Sequence, residues 1–202
     1  MQPQLRMFRA HFDDLSPVEL PEGYRLRTFE PGDETTWERI IGISFGREPG
    51  QINFANSMLA PGCFLPERVF LVCCGDQAVA TAAAYLLPPE LMPDCGTLHY
   101  VGVLPGHAGR RLGGLASLAA LHRFREEGLA RGTLSTDDFR LPAVKTYLRL
   151  GFIPVLVDEN QRQRWRDVFA ALNLPQLSER YAPILDGAIW QPPAIPLAVA
   201  PQ

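Results

Sequence analysis

Apolar and polar residues alternate with the period of a strand in some stretches of the chain and with the period of a helix in others. "GYRLRTF", residues Gly23–Phe29, alternates as a β-strand does. The next stretch has Asp33 as a possible N-cap, an apolar stripe that includes Trp37 and Ile40, and Gly46 as a stop. This pattern predicts the first helix. A second short helix is expected near "INFANSMLA".

The middle of the chain predicts a hairpin, a strand and a long helix. Two apolar runs in "RVFLVCCGDQAVATAAAYLL" flank Gly75 and Asp76, a favourable turn pair. "GTLHYVGVL", residues 96–104, is the next strand. Leucines recur at helical spacing from Leu112 to Glu127, and Gly128 can end that helix.

Three further elements follow. "GTLSTDD" is a short strand, "LPAVKTYLRLGF" is a helix with Pro142 in its first turn and Gly151 at its end, and "FIPVLV" is a strand. Strands thus alternate with helices along most of the chain. The order predicts an α/β or α+β fold with a mixed, mostly antiparallel central sheet flanked by helices.

The two ends of the chain differ from this middle part. Residues 1–20 show no clean periodicity and are expected to be an extension that docks on the domain or stays mobile. We place the domain at residues 21–158. Residues 159–202 combine an amphipathic helix, "ENQRQRWRDVFAALN", with a proline-rich arm that could cover its own domain or that of a partner in a homodimer.

Composition narrows the class of protein. The 202 residues carry a formal net charge of -3 and are 47% hydrophobic, which disfavours a general nucleic-acid or anionic-membrane surface. No secretion signal or membrane-length apolar run is visible, so a cytoplasmic location is expected. The cysteines are expected to be reduced thiols: Cys63, Cys73, Cys74 and Cys95. No cysteine and histidine set has the spacing of a metal site.

The stretch "VLPGHAGRRLGG", residues Val103–Gly114, joins the strand to the long helix with four glycines and two arginines. A helix N-terminus exposes backbone N–H groups, and its dipole adds about half a positive charge. Glycines allow an anion to approach the backbone, and Arg110 and Arg111 add charge. The stretch, called the glycine loop below, therefore predicts a phosphate site, and a tight turn without a ligand stays open.

The sequence patterns of two other classes of phosphate-binding loop match the glycine loop poorly. A Walker loop ends in Gly-Lys-Ser/Thr, whereas Leu112-Gly113-Gly114 stands here. A dinucleotide fingerprint opens a βαβ unit, whereas several elements precede this loop, and the Gly-x-Gly-x-x-Gly spacing is absent. Nucleotide binding of that type remains a disfavoured alternative.

Together with "LPAVKTYLRLGF", the glycine loop resembles the GCN5-related N-acetyltransferase (GNAT) family. In that family a strand ending in Val-x-Val-x-Pro leads into Arg/Gln-x-x-Gly-x-Gly/Ala, and a later block reads Asn-x-x-Ala-x-x-x-Tyr-x-x-x-Gly-Phe. The resemblance spans about residues 23–157. The matching residues here are Val101, Val103, Pro105, Gly113, Ala143, Tyr147, Gly151 and Phe152.

The resemblance implies an acetyl-CoA-dependent N-acetyltransferase that acts on a primary amine of a small molecule or peptide. It assigns the pyrophosphate of acetyl-CoA to the loop backbone and the thioester to the strand before it. The backbone from Val101 to Val103 would donate to the oxyanion. The implied cofactor-binding residues are Val101, Gly102, Val103, Ala108, Gly109, Arg110, Arg111, Leu112, Gly113 and Gly114.

The catalytic candidates are Tyr147 and His99. The resemblance makes Tyr147 the general acid that protonates the departing thiolate. His99 is the candidate base, because its ordinary pKa near 6.5 suits a proton acceptor and it lies in phase with Val101 and Val103. A strand histidine satisfied by a neighbour stays open. Asp137 and Asp138 are alternatives as base, cation site, strand end or helix cap.

Three positions depart from the family pattern. Ala108 replaces Arg/Gln, Arg111 replaces the first motif glycine, and Arg140 replaces Asn. A side chain at position 111 is compatible with backbone capture of phosphate if its φ is negative and it points outward. These departures favour, as the alternative function, a non-catalytic acyl-CoA-binding module of the same fold.

Overall fold

The computed structural model describes residues 2–59, 64–86 and 94–191. The strands are β1 Leu5–Arg9, β2 Tyr24–Thr28, β3 Val69–Cys74, β4 Gln77–Leu86, β5 Cys95–Val103, β6 Arg131–Thr136 and β7 Ile153–Val155. The α-helices are α1 Glu34–Ser44, α2 Leu112–Glu126, α3 Leu141–Arg149, α4 Gln161–Ala171, α5 Gln176–Arg180 and α6 Ala182–Leu185.

The chain divides into two compact units. The two-segment unit comprises Phe12–Leu87 and Gly96–Leu129, and the three-segment unit comprises Met1–His11, Pro88–Cys95 and Ala130–Gln202. The strands predicted in the middle of the chain and all three predicted main helices are present. The second short helix expected near "INFANSMLA" is a π-helical turn, Ala55–Leu59.

The two-segment unit is built on an antiparallel sheet in the order β2-β3-β4-β5. Its predicted hairpin turns at Gly75 and Asp76, between β3 and β4. One hydrophobic cluster of this unit includes Trp37 and Ile41 of α1 together with Phe29 and Phe54. The stripe predicted for α1 is therefore the face that it buries.

The register between β4 and β5 changes next to the glycine loop. Thr81 lies opposite Gly102 and Ala83 lies opposite His99, so two residues of β5 oppose one of β4. This is a β-bulge, and its residue Tyr100 has a φ of 48°. The sequence of β5 carries no signal that reveals the extra residue.

The three-segment unit corrects the expectation for residues 1–20. Leu5–Arg9 is not part of an extension without regular structure but the strand β1, which pairs antiparallel with β6 on one side and β7 on the other. Leu5, Met7 and Phe8 are almost completely buried. The sequence of this short run does not predict a strand, because Arg6 and Arg9 interrupt its apolar pattern.

The end of the chain is helical for longer than expected. The predicted amphipathic helix is α4, and the extended arm expected after it begins with two further short helices, α5 and α6. Pro175 and Pro183 stand at the starts of these helices, where a missing backbone N–H leaves no bond unmade. Residues 192–202, which hold most of the proline-rich arm, lie outside the described residues.

Candidate functional site

The glycine loop leaves β5 at Leu104, whose backbone N–H donates to Val79 of β4 at 2.8 Å. A 3-10 turn over Pro105–His107 follows, and the N–H of Ala108 donates to the carbonyl of Pro105 at 3.1 Å. The amide of Ala108, expected among the cofactor-binding groups, is thus already bonded inside the loop. Its side chain is exposed.

The six successive backbone N–H groups after Ala108 are the feature of the glycine loop that favours anion binding. Among the described residues, no backbone carbonyl accepts from the amides of residues 109–114, and the first helical bond of α2 runs from Leu115 to Arg111. Gly109 leaves the backbone open to a ligand, since a Cβ added there would have no atom within 4 Å. An array of donors at the start of a helix of fifteen residues is a ready anion site.

Arg111 does not meet the condition set for a side chain at this position. Its φ is 63° and its ψ is 12°, which is the left-handed conformation that glycine adopts freely. The negative φ under which a side chain here is tolerated without strain is therefore absent. The turn requires the glycine-type conformation that the family pattern implies, and this chain places an arginine in it at a cost of about 1–2 kcal/mol.

The two loop arginines supply positive charge without a carboxylate partner in the described part of the chain. The guanidinium of Arg110 donates back to the carbonyl of Gly106 at 2.9 Å. Both side chains are exposed. Because neither charge is neutralised by an acid, the loop can bind a multiply charged anion such as a pyrophosphate.

Helix α2 approaches β5 closely just after the loop. A Cβ added to Gly113 would lie 3.0 Å from Cγ2 of Val103 and 3.7 Å from Cγ1 of Val101. A Cβ added to Gly102 would instead meet Oγ of Ser44 at 2.9 Å. Val101 and Val103 therefore face α2, and Gly102 faces α1.

The bulge in β5 is a structural feature beside the glycine loop that the sequence pattern did not reveal. An extra residue in a strand interrupts the regular ladder and leaves a main-chain group outside it. Tyr100 and Val101 lie opposite Ala82 at this point. A main-chain donor outside the regular ladder, in the strand that leads into the glycine loop, would suit the stabilisation of a developing oxyanion.

His99 lies on the opposite face of β5 from the one predicted. Ala83 and Thr81 share one face of β4, and their partners His99 and Gly102 share that face too. The bulge thus breaks the predicted phase of His99 with Val101 and Val103. The imidazole contacts the rings of Tyr85 and Tyr100, with centroids 5.5 and 3.9 Å away.

The charge state of His99 depends on these neighbours. Crowding by protein atoms removes water from the ring and lowers the pKa of His99 to about 4. The side chain is nevertheless exposed, and hydration of the imidazolium through this surface argues for a smaller lowering. Either way the pKa lies below 6.5, so the imidazole is neutral at pH 7 and can accept a proton.

Tyr147 lies in the three-segment unit, on α3. Its ring is 7% exposed and packs edge-on against Phe152 with centroids 6.3 Å apart. Burial raises the pKa of Tyr147 to about 12. No hydrogen bond to the hydroxyl occurs among the described residues, so this phenol is protonated at neutral pH and can donate.

The aspartate pair has structural partners. Asp138 binds the guanidinium of Arg164 through both carboxylate oxygens, and this bond lowers the pKa of Asp138. Asp137 accepts from Nε of Arg140 and from Nε2 of Gln4, both at 2.9 Å. These bonds favour the interpretation of the pair as a polar strand end rather than a base.

Other chemistry finds little support in the described ranges. They contain no cluster of three or more potential metal-ligating side chains, and no helix in them is long and apolar enough to cross a membrane. Cys73, Cys74 and Cys95 are free thiols. Burial raises the pKa of Cys95 to about 11, so this thiol is a poor nucleophile. Cys63 lies outside the described residues.

Comparison with known proteins identifies related sequences. Residues 35–152 match the profile of the Acetyltransferase (GNAT) family. Mycothiol acetyltransferase of Thermomonospora curvata is 33% identical over 160 residues, covering 76% of this chain and 52% of the relative. That of Nocardia farcinica is 32% identical over 152 residues, covering 71% and 50%. The chain thus spans about half the length of the curated relatives it matches.

The fold also matches solved structures. A GCN5-related N-acetyltransferase from Sphaerobacter thermophilus superposes with a TM-score of 0.57 at 24% identity, covering 76% of this chain and 49% of that one. This likeness concerns the fold alone. It confirms the predicted class, a mixed, mostly antiparallel sheet flanked by helices.

Proposed function

The chain belongs to the acetyltransferase (GNAT) family, and we propose that it transfers the acetyl group of acetyl-CoA to an amine of a small molecule. The observation that carries this proposal is the glycine loop. Its six consecutive amides without backbone acceptors and its two arginines stand at the start of α2. This donor set fits the pyrophosphate of CoA.

In this proposal the loop amides from Gly109 to Gly114 and the guanidinium of Arg111 bind the phosphates. The amide of Ala108 is excluded because Pro105 already accepts from it. When bound, acetyl-CoA supplies an activated acetyl thioester. The main chain of β5 at Tyr100 and Val101, which the bulge places outside the regular pairing with β4, donates to the oxyanion that forms during acyl transfer.

Two side chains would move protons. His99, neutral at pH 7, accepts the proton of the attacking amine directly or through a water molecule. Tyr147 keeps its proton at neutral pH because burial raises its pKa, and it donates this proton to the leaving thiolate. The role of Tyr147 follows from the family resemblance, and that of His99 from its place on β5 and its ordinary pKa. Both roles are compatible with the protonation state of each group.

The acceptor is proposed from the relatives. The relatives described above carry the name mycothiol acetyltransferase, which favours a small-molecule amine over a peptide. The faces of β5 provide a physical reason to expect the acceptor near His99, since this residue faces α1 and α2 packs on the other face.

Thermal unfolding with CoA, acetyl-CoA, NAD and ATP in parallel tests the cofactor. Ligand at a hundred times its Kd adds about 2.7 kcal/mol to the free energy of unfolding, which is a shift in Tm of roughly 5–10 °C for a chain of this size. We expect the shift with CoA and acetyl-CoA only. An equal or larger shift with NAD or ATP would contradict the proposal.

Turnover separates the enzyme from a binding module. Release of free thiol from acetyl-CoA is measured over a panel of small amines and, for comparison, peptides with a free amino terminus. Release with a small amine supports the proposed reaction. Binding of CoA with no release over the whole panel would favour the non-catalytic acyl-CoA-binding module instead.

A further inference from the structure

A pair of side chains ties the start of the glycine loop to the first residue of β2. The hydroxyl of Tyr24 and Nδ1 of His107 form a hydrogen bond of 2.8 Å. The two rings also meet edge to face, with centroids 5.8 Å apart and planes at 89°. Both side chains are half-buried, so this contact is partly shielded from water.

The position of His107 determines which part of the glycine loop its hydrogen bond to Tyr24 can hold in place. The loop is bonded to β4 at Leu104 and turns over Pro105–His107. His107 is the last residue of this turn, and its ring reaches Tyr24, which pairs with Cys74 in the sheet. The turn is thus fixed at two strands, β4 through the backbone and β2 through His107.

The residues directly after the turn are the ones that bind phosphate in the proposed function. Gly109 and Arg111 have φ values of 77° and 63°, and the amides of residues 109–114 find no backbone acceptor within the part of the chain that the structure describes. Few local hydrogen bonds thus hold this part of the loop, and Arg111 adds strain. A fixed preceding turn reduces the entropy that the loop loses when it binds a ligand.

We propose that Tyr24 and His107 are positioning residues that hold the glycine loop in its phosphate-binding conformation. The inference rests on the proposed function, because it takes CoA as the ligand of the loop. Neither side chain is assigned a contact with the ligand. The pair acts on cofactor affinity through the turn.

Titration calorimetry measures how substitutions at Tyr24 and His107 change the Kd for CoA. Tyr24→Phe removes the hydroxyl and keeps the ring, and His107→Ala removes the whole contact. A neutral hydrogen bond is worth about 1 kcal/mol, so we expect Tyr24→Phe to raise the Kd for CoA about fivefold. In the double variant the two effects should not add, because each removes the same bond. His107→Asn, which keeps polar atoms near the position of Nδ1, should restore much of the affinity.

His122→Ala is the matched control. His122 is also half-buried, and its Nε2 bonds the carbonyl of Ser16 at 2.8 Å, so its loss is a comparable perturbation on α2. We expect this variant to bind CoA as the wild type does. In turnover, the Tyr24 and His107 variants should raise the KM for acetyl-CoA and leave kcat unchanged, a separation that general destabilisation would not produce.

Hydrogen exchange without ligand tests the pair independently of CoA. The amides of His107 and Ala108 donate within the turn, and we expect them to exchange about fivefold faster in Tyr24→Phe. Unchanged exchange, additive effects in the double variant or a wild-type Kd in Tyr24→Phe would overturn the positioning role. A wild-type chain that binds no CoA would instead overturn the proposed function and, with it, the phosphate role of the pair.

Discussion

Arg110 and Arg111 are neighbours with the same charge and different backbones. Arg111 has a φ of 63°, whereas Arg110 is not among the residues with positive φ. Arg111→Gly relieves left-handed strain of about 1–2 kcal/mol and loses part of this gain to the greater entropy of glycine in the unfolded chain. Arg110→Gly relieves no strain, adds the same entropic loss and removes the hydrogen bond to the carbonyl of Gly106.

We therefore expect Arg111→Gly to be more stable than Arg110→Gly by about 1–2 kcal/mol in urea unfolding. Each variant also loses one positive charge, so both should bind CoA more weakly, and the weakening should shrink at high salt. Equal stabilities of the two variants would contradict the strain at Arg111.

Tyr147 allows a direct test of proton donation. Tyr147→Phe keeps the ring that packs on Phe152 and removes the proton, so kcat should fall by about 10²-fold or more, while the KM for acetyl-CoA changes little. Tyr181→Phe is the control, since Tyr181 is also buried, at 4% against 7% exposure. Because burial raises the pKa of Tyr147 to about 12, the wild type should show no loss of kcat from this group below about pH 11.

His99 links protonation to stability. In the unfolded chain its pKa is near 6.5, and in the fold it is lowered towards 4. Between these values the unfolded chain binds more protons, so the contribution of His99 to the free energy of unfolding is complete above pH 6.5 and is lost as the pH falls towards 4. Urea unfolding from pH 4 to pH 8 should show a shallower loss in His99→Gln. Parallel curves for the two proteins would show that the pKa of His99 is not lowered in the fold.

At the scale of elements, α2 and α3 end in the same way. Gly128 and Gly151 follow these helices with φ values of 78° and 79°, and in each case the next amide donates back to the last turn. The surroundings differ, because a Cβ at Gly128 meets open space and a Cβ at Gly151 would collide with Nη1 of Arg9. Arg9 is 5% exposed and donates to the carbonyl of Leu150.

These two glycines form a matched pair for mutation. Gly128→Ala should cost about 1–2 kcal/mol of stability through backbone strain alone. Gly151→Ala should cost at least about 1 kcal/mol more, because the buried guanidinium must leave the end of α3. Since α3 carries Tyr147, kcat should fall in Gly151→Ala and be retained in Gly128→Ala. Thermal unfolding and turnover at a temperature where both are folded give the comparison.

The sequence predicted those elements whose position is set by a single local pattern. The start of α3 at Pro142 and its end at Gly151 follow from the chemistry of helix termini, and the hairpin at Gly75 and Asp76 follows from its turn pair. The bulge in β5 could not be predicted, because nothing in the residues of β5 marks an extra residue and only the register with β4 reveals it. The wrong face for His99 is a direct consequence of that bulge.

Parts of the candidate site could likewise be predicted from local sequence patterns, and other parts could not. The glycines and arginines of the loop lie close together in the sequence, and this local pattern predicts an anion site. The positive φ of Arg111 is not visible in the sequence, because arginine rarely adopts it. The bonds of Asp137 to Gln4 and of Asp138 to Arg164 were hidden as well, since these partners lie 133 and 26 residues away.

At the scale of the whole molecule, the first residues of the chain complete a unit formed mostly by the last ones. The amide of Gln161 donates to the carbonyl of Gln4 at 2.7 Å, and Oγ1 of Thr133 donates to that of Met7 at 3.0 Å. β1 lies between β6 and β7. A strand whose partners are more than a hundred residues away has no local signal beyond its own five side chains.

This topology makes the three-segment unit depend on β1. Met7 is fully buried and lies opposite Leu134 and Pro154. A proline there removes a backbone donor in the middle of a central strand, which is tolerated only at edges, so Met7→Pro should lower stability by about 3 kcal/mol or more. Gln2→Pro is the control, because Gln2 is exposed and precedes the strand. Urea unfolding should give a wild-type midpoint for Gln2→Pro and a strongly reduced one for Met7→Pro. A Met7→Pro variant as stable as the control would contradict this dependence of the unit on β1.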